Sequence, residues 1–260
     1  MSDLVEIAEE DDATFWRRCR ELVRDWPAPI RLHADALLRQ QYRQRETLPK
    51  SVAFIPIFHG KDDPKADAQL ETELTALFNT ELKEGSVIAS GENHTTPYDQ
   101  AADNRARVNT QVAMALAVGH KLPVAEARER ARFVAGFERA LQALVKSRPG
   151  IRITGVESRP GAILATILEQ APWLVGVSPA EAVEAKWRLG IEARTRQALN
   201  RAADFCGAAD LFFMAGALHG PGADHWSKRN NVQFTMWVPE IVGKKLPAWY
   251  GQAKTPDGSG

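Results

Sequence analysis

Apolar residues recur at helical spacing along most of the chain. Phe15, Trp16, Cys19, Leu22 and Val23 share one side of a helix predicted over about 13–25, which Pro27 and Pro29 end. Ile30, Ala34, Leu37, Leu38 and Tyr42 predict a second helix over about 29–47. Asp63 and Pro64 open an acidic helix carrying Leu70, Leu74, Leu77 and Leu82, which stops at Gly85. Thr96-Pro97-Tyr98-Asp99 reads as a hydroxyl cap, a proline at N1 and an acid at N3, the start of a helix that buries Val108, Val112 and Leu116. A long helix over about 124–147 places Ala127, Ala131, Val134, Phe137, Leu141 and Leu144 together. Ser178-Pro179-Ala180-Glu181 is a full capping box, and the helix it opens runs to about Cys206.

Other segments have strand character. Val52–Ile55 is a short strand that Pro56 confines to an edge or ends. Ile151–Val156 alternates, and Leu211–Ala217 is apolar throughout. Val232, Phe234, Met236 and Val238 alternate with Gln233, Thr235 and Trp237, the clearest strand pattern in the chain. Ala162–Leu168 fits strand or helix equally. The expected class is therefore helix-rich α+β with a small, mainly antiparallel sheet. Residues 1–12 read as an acidic tail and 13–251 as a single globular domain, with a subdivision permitted near 148–150. Residues 252–260 read as a disordered tail.

Charge changes this picture. The 260 residues balance 33 Lys and Arg against 33 Asp and Glu, yet residues 1–12 hold six acids and no base, leaving a body of net +6. Residues 13–50 hold nine bases against four acids, and 186–201 hold five bases against Glu192 alone. Arg outnumbers Lys 22 to 11 in an alanine-rich chain, a balance common in GC-rich bacterial genomes. Guanidinium groups pair phosphates bidentately, so these stretches suggest a phosphate-binding surface. No apolar run reaches the roughly 18–20 residues of a membrane helix, and the acidic Met1-Ser2-Asp3 start is unlike a secretory signal. Two cysteines, Cys19 and Cys206, provide neither a disulfide framework nor a cysteine-rich metal site, which fits a reducing cytoplasm.

Four segments carry candidate chemistry. Gln111, Ala115 and Gly119, followed by Ala125, have the spacing of a helix-turn-helix, although an αα-hairpin explains them too. Leu218–Trp226 brings His219, Asp224 and His225 into a glycine-rich loop between two expected strands, a candidate acid–base or metal site. Trp226, Lys228 and Arg229, with Lys244 and Lys245 further on, mix aromatic and cationic groups in the manner of single-strand nucleic-acid binders. Gly91–Thr96 leads into a helix N-terminus and reads as structural. Nucleotide-binding and hydrolase signatures such as GxGxxG, Walker A, GxSxG and HExxH are absent from the sequence.

The function expected on these grounds is non-enzymatic binding of DNA or RNA, as a subunit of a larger nucleoprotein assembly with other protein subunits. The phosphate contacts would come from Arg31, Arg39, Arg43, Arg194, Arg196, Trp226, Lys228, Arg229, Lys244 and Lys245. No cofactor, metal or membrane is expected. Two alternatives stand beside it: a hydrolase or nuclease using His219, Asp224 and His225, and a helical scaffold.

Overall fold

The computed structural model describes residues 2–39, 47–58 and 62–246. Three helices precede the sheet: α1 (Ser2–Glu9), α2 (Asp12–Val23) and α3 (Ala28–Leu38). Among the described residues five strands then form one sheet, β1 (Ser51–Ile57), β2 (Val87–Ser90), β3 (Arg152–Gly155), β4 (Asp210–Gly216) and β5 (Gln233–Met236). Their order is β3-β2-β4-β1-β5, and every pairing is parallel. The expected mainly antiparallel sheet, and with it the α+β class, is overturned: the architecture is α/β.

The physical reason lies in the crossovers. Parallel neighbours need a connection that carries the chain back along the sheet, usually a helix. Here α4 (Pro64–Glu81) joins β1 to β2, and α5 (Gln100–Ala117), α6 (Val124–Ala131) and α7 (Gly136–Ser147) join β2 to β3. Between β3 and β4 come α8 (Arg159–Gln170), α9 (Pro179–Ala185) and α10 (Ala193–Cys206). The connection from β4 to β5 is α11 (Gly220–Arg229), and α12 (Glu240–Gly243) follows β5.

Helices cover both faces, so the central strands are apolar on both sides. Ile55, Ile88, Phe212 and Met214 pack against Leu70, Leu74 and Phe78 of α4 and Phe137 and Leu141 of α7. On the opposite face Phe54, Val87, Ala89 and Phe213 meet Leu199 and Ala202 of α10 and Trp226 of α11. A separate cluster unites Phe15, Trp16, Ile30 and Leu37 with Ile163, Leu164 and Leu189.

Four local expectations change. The helix expected over 124–147 is two helices, because Gly136 brings α7 against α4: its N–H donates to Asp67 Oδ1 at 2.8 Å, and a Cβ there would overlap the Asp67 carbonyl oxygen. β1 is an interior strand; Pro56 is tolerated because β5 pairs only Ser51–Phe54. The helix expected from Thr96 starts at Gln100, with the Asp99 side chain accepting from Ala102 N. The acidic segment ahead of α2 is helical and packs on α11 and the stretch before α10. The helix from Ser178 does reach Cys206, through a π-helical stretch at Lys186–Glu192.

Candidate functional site

The connections leaving β2 and β4, neighbours in the sheet, run in opposite directions: β2 leads outward to β3, and β4 leads past β1 to β5. Loops that part in this way open a crevice at the carboxyl ends of the strands, the place where open α/β sheets bind ligands. Three segments meet there: Gly91–Asp99 after β2, Val156–Ser158 after β3 and the turn Ala217–His219 after β4.

Backbone hydrogen bonds stitch these segments together. Gly91 N–H donates to Met214 O at 2.7 Å, Val156 N–H to Ser90 O at 2.9 Å and Glu157 N–H to Asn93 O at 2.8 Å. Gly155 allows the close approach, because a Cβ on it would lie 2.5 Å from the Asn93 carbonyl carbon. From α5, the buried Asp103 carboxylate accepts from Asn93 Nδ2 at 2.8 Å and from His94 N at 2.5 Å. The loop after β2 is therefore held from both sides.

The side chains form a charged cluster around a neutral imidazole. Thr195 Oγ1 lies 2.8 Å from Ile191 O and 2.6 Å from His219 Nδ1. A carbonyl can only accept, so the one hydroxyl proton goes to Ile191, and the oxygen accepts from Nδ1–H. That arrangement assigns the tautomer of His219 and leaves Nε2 with its lone pair. Burial, reinforced by the Arg194 guanidinium, pushes the His219 pKa down to about 3 against a smaller opposing pull from Glu92. The imidazole is thus neutral at pH 7. Glu92 and His219 both flank Gly216, where a Cβ would lie 3.8 Å from His219 Cδ2 and 4.0 Å from Glu92 Oε1.

Arg194, 16% exposed, pairs with Glu157 and donates to Gly190 O at 3.1 Å. Burial opposes its charge, but Glu157 and then Glu92 outweigh that, so its pKa is raised. Glu157 also accepts from Ser158 N at 2.7 Å. Two buried polar atoms near these residues, Arg194 Nε and Asn93 Oδ1, have no protein partner. Such orphans call for an explanation, and a bound ligand or water supplies one. Among the described residues no three His, Cys, Asp or Glu side chains cluster as metal ligands. Both cysteines are buried, with burial raising Cys19 to about 12 and Cys206 to about 11, so neither is an activated nucleophile.

The structure disperses the residues singled out for nucleic acid. Arg194 is in the crevice, whereas Arg196 is buried between Glu192 and Asp12. Arg229 also pairs with Asp12, and Lys228 with Asp224. Lys244 pairs with Glu240, and Lys245 with Asp63. Trp226 is buried, its indole N–H donating to Asn200 Oδ1 at 2.9 Å. Arg31 donates to Arg24 O at 3.1 Å, Arg39 is exposed at the end of α3, and Arg43 lies outside the described residues.

The glycine-rich loop expected to unite His219, Asp224 and His225 is instead a short turn followed by α11. Gly220-Pro221-Gly222 forms the first turn of that helix, where proline is favourable. Only His219 enters the crevice. Sequence reasoning missed Glu92 and Glu157 and took Gly91–Thr96 as structural. One signal was there: Gly91-Glu92-Asn93-His94 and Gly216-Ala217-Leu218-His219 repeat a Gly-x-x-His spacing, each at the end of a strand. No protein-family model, curated protein or solved structure matches the chain.

Proposed function

We propose that the chain is a hydrolase that uses acid–base chemistry in the crevice above β2, β3 and β4. The observation that carries this reading is a neutral His219 of fixed tautomer that flanks Gly216 together with Glu92, near an Arg194 that retains an unused buried donor. A water between His219 and Glu92 gives one hydrogen to Nε2 and loses the other to the carboxylate, which makes it a nucleophile. Arg194, held by Glu157, supplies positive charge for the oxyanion that forms when the water adds to a carbonyl. Collapse of that adduct breaks the bond to the leaving alcohol or amine, which takes the proton held by Glu92. Thr195 and Asp103 are positioning residues, the first for the His219 ring and the second for the Asn93–His94 backbone. The π-helical stretch that precedes Arg194 and Thr195 is a feature often found next to functional sites.

Nucleic-acid binding has less support, because most of the cations it would use are committed to carboxylates of the same chain. A panel of carboxylic esters, lactones and amides tests the hydrolase reading. Turnover of at least one is expected, and Glu92→Gln and His219→Asn should each lower kcat by about 100-fold or more with little change in Tm. Activity that survives both substitutions, or no turnover across the panel, overturns it.

A further inference from the structure

We propose that the groove between α5 and α6 is a second ligand site, built for a small phosphate-bearing anion of about nucleotide size. The groove holds about 460 Å³, within the roughly 300–1,000 Å³ typical of small-molecule sites. Asn104, Arg105, Val108 and Asn109 form its α5 wall, all on one face of that helix. Val124 and Arg128, one turn apart, face them from α6.

Charge makes the groove selective. Its lining contains no carboxylate. On α6, Arg130 pairs with Glu126 away from the groove, and Arg132, which lines the groove just past the helix end, is neutralised by Glu129. Arg105 and Arg128 have no ion pair or side-chain hydrogen bond among the described residues, and both are exposed. Two unpaired guanidinium forks on facing helices suit phosphate oxygens, which they can pair bidentately, and the Asn104 and Asn109 amides add donors. Val108 and the half-exposed Val124 offer apolar surface for the carbon body of the ligand. A duplex would need a protruding element or an extended track of cations. A concave cleft with two unpaired cations takes a single small molecule.

Isothermal titration calorimetry of the full chain with ATP, pyrophosphate and citrate at low salt tests this. ATP and pyrophosphate should bind saturably. Arg105→Ala and Arg128→Ala should each weaken binding by about tenfold or more, as expected for loss of a charged hydrogen-bond donor. Arg130→Ala, on the same helix, should leave affinity within about twofold. Absence of saturable binding by either phosphate probe overturns the proposal, as does affinity indifferent to Arg105 and Arg128. Tighter binding of citrate than of pyrophosphate overturns the phosphate assignment. Binding of a 20-base-pair duplex without binding of ATP would overturn the small-molecule assignment.

Discussion

Arg194 and Arg196 stand two residues apart on α10, and the helix turns them into different environments. Arg196, 2% exposed, has every guanidinium nitrogen engaged. Nε donates to Glu192 at 2.6 Å, Nη1 to Asp12 at 2.6 Å, and Nη2 to the carbonyls of Ile7, Ala8 and Glu10 at 3.2–3.3 Å. Its guanidinium carbon lies 3.8 Å from the centroid of the Phe15 ring. Nearby, Arg188 grips Glu10 at 2.6 Å, so α1 and the start of α2 are locked onto the helix. Arg194 also meets a carboxylate, but its Nε has no protein partner. Both are arginine–carboxylate pairs in a largely dry setting. The guanidinium separates them: every nitrogen of Arg196 is engaged, although its partner Glu192 keeps an unpaired Oε2, whereas Arg194 keeps an unpaired Nε that leaves a donor for a ligand.

The sharpest test of this contrast is stability. Arg196→Ala strands the buried Glu192, while Asp12 keeps Arg229, and should cost about 3–5 kcal/mol in urea unfolding. Arg194→Lys keeps a cation beside Glu157 and should cost no more than about 1 kcal/mol while removing turnover, since lysine lacks the planar fork. Equal losses from the two substitutions would erase the distinction.

A smaller effect is expected where the loops of the crevice touch. Gly155→Ala forces a Cβ to within 2.5 Å of the Asn93 carbonyl carbon, an overpacking worth about 1–3 kcal/mol. Because Asn93 and His94 shift with that contact, hydrogen exchange should quicken first in residues 91–99. Unchanged exchange there would mean that the crevice is less rigid than its hydrogen bonds imply.

A probe that changes no residue is pH. His219 has a folded pKa of about 3 against an ordinary value of 6.5. Between those values the unfolded chain takes up a proton that the folded chain refuses. The His219 contribution to stability is therefore fully present above pH 6.5 and declines as pH falls towards 3, by at most about 1.4 kcal/mol per pH unit. His219→Asn should flatten that portion of the curve. An identical slope in the variant would mean that the imidazole is not held neutral.

Element by element, much of the fold was legible. The Ser178–Glu181 capping box and the strand at Leu211–Ala217 were readable because caps and apolar runs are local signals. Strand direction was not. The alternation of Val232–Val238 suggested a half-exposed antiparallel strand, yet the same pattern suits β5 as the outermost parallel strand, open on one side. The uninterrupted apolar run of β4, covered on both faces, was the better guide to topology. In the candidate site, His219 was readable as a histidine among glycines. Its supposed partners Asp224 and His225 were adjacent in sequence only, since α11 carries them out of the crevice.

What the sequence by itself determined was therefore the set of local elements, their caps and breaks, and the presence of isolated ionisable side chains near glycines. Only the tertiary structure decided which of those side chains work together. Glu92, Glu157, Arg194 and His219 come from four separate segments, and the fold brings those segments together at the carboxyl ends of β2, β3 and β4. The same folding sent the cations of 186–201 inward, where Arg188 and Arg196 met the acids of the N-terminal segment. Charge counted along a chain describes a surface only if the charges stay there. Burial and pairing are properties of contacts between distant residues, and composition does not encode them.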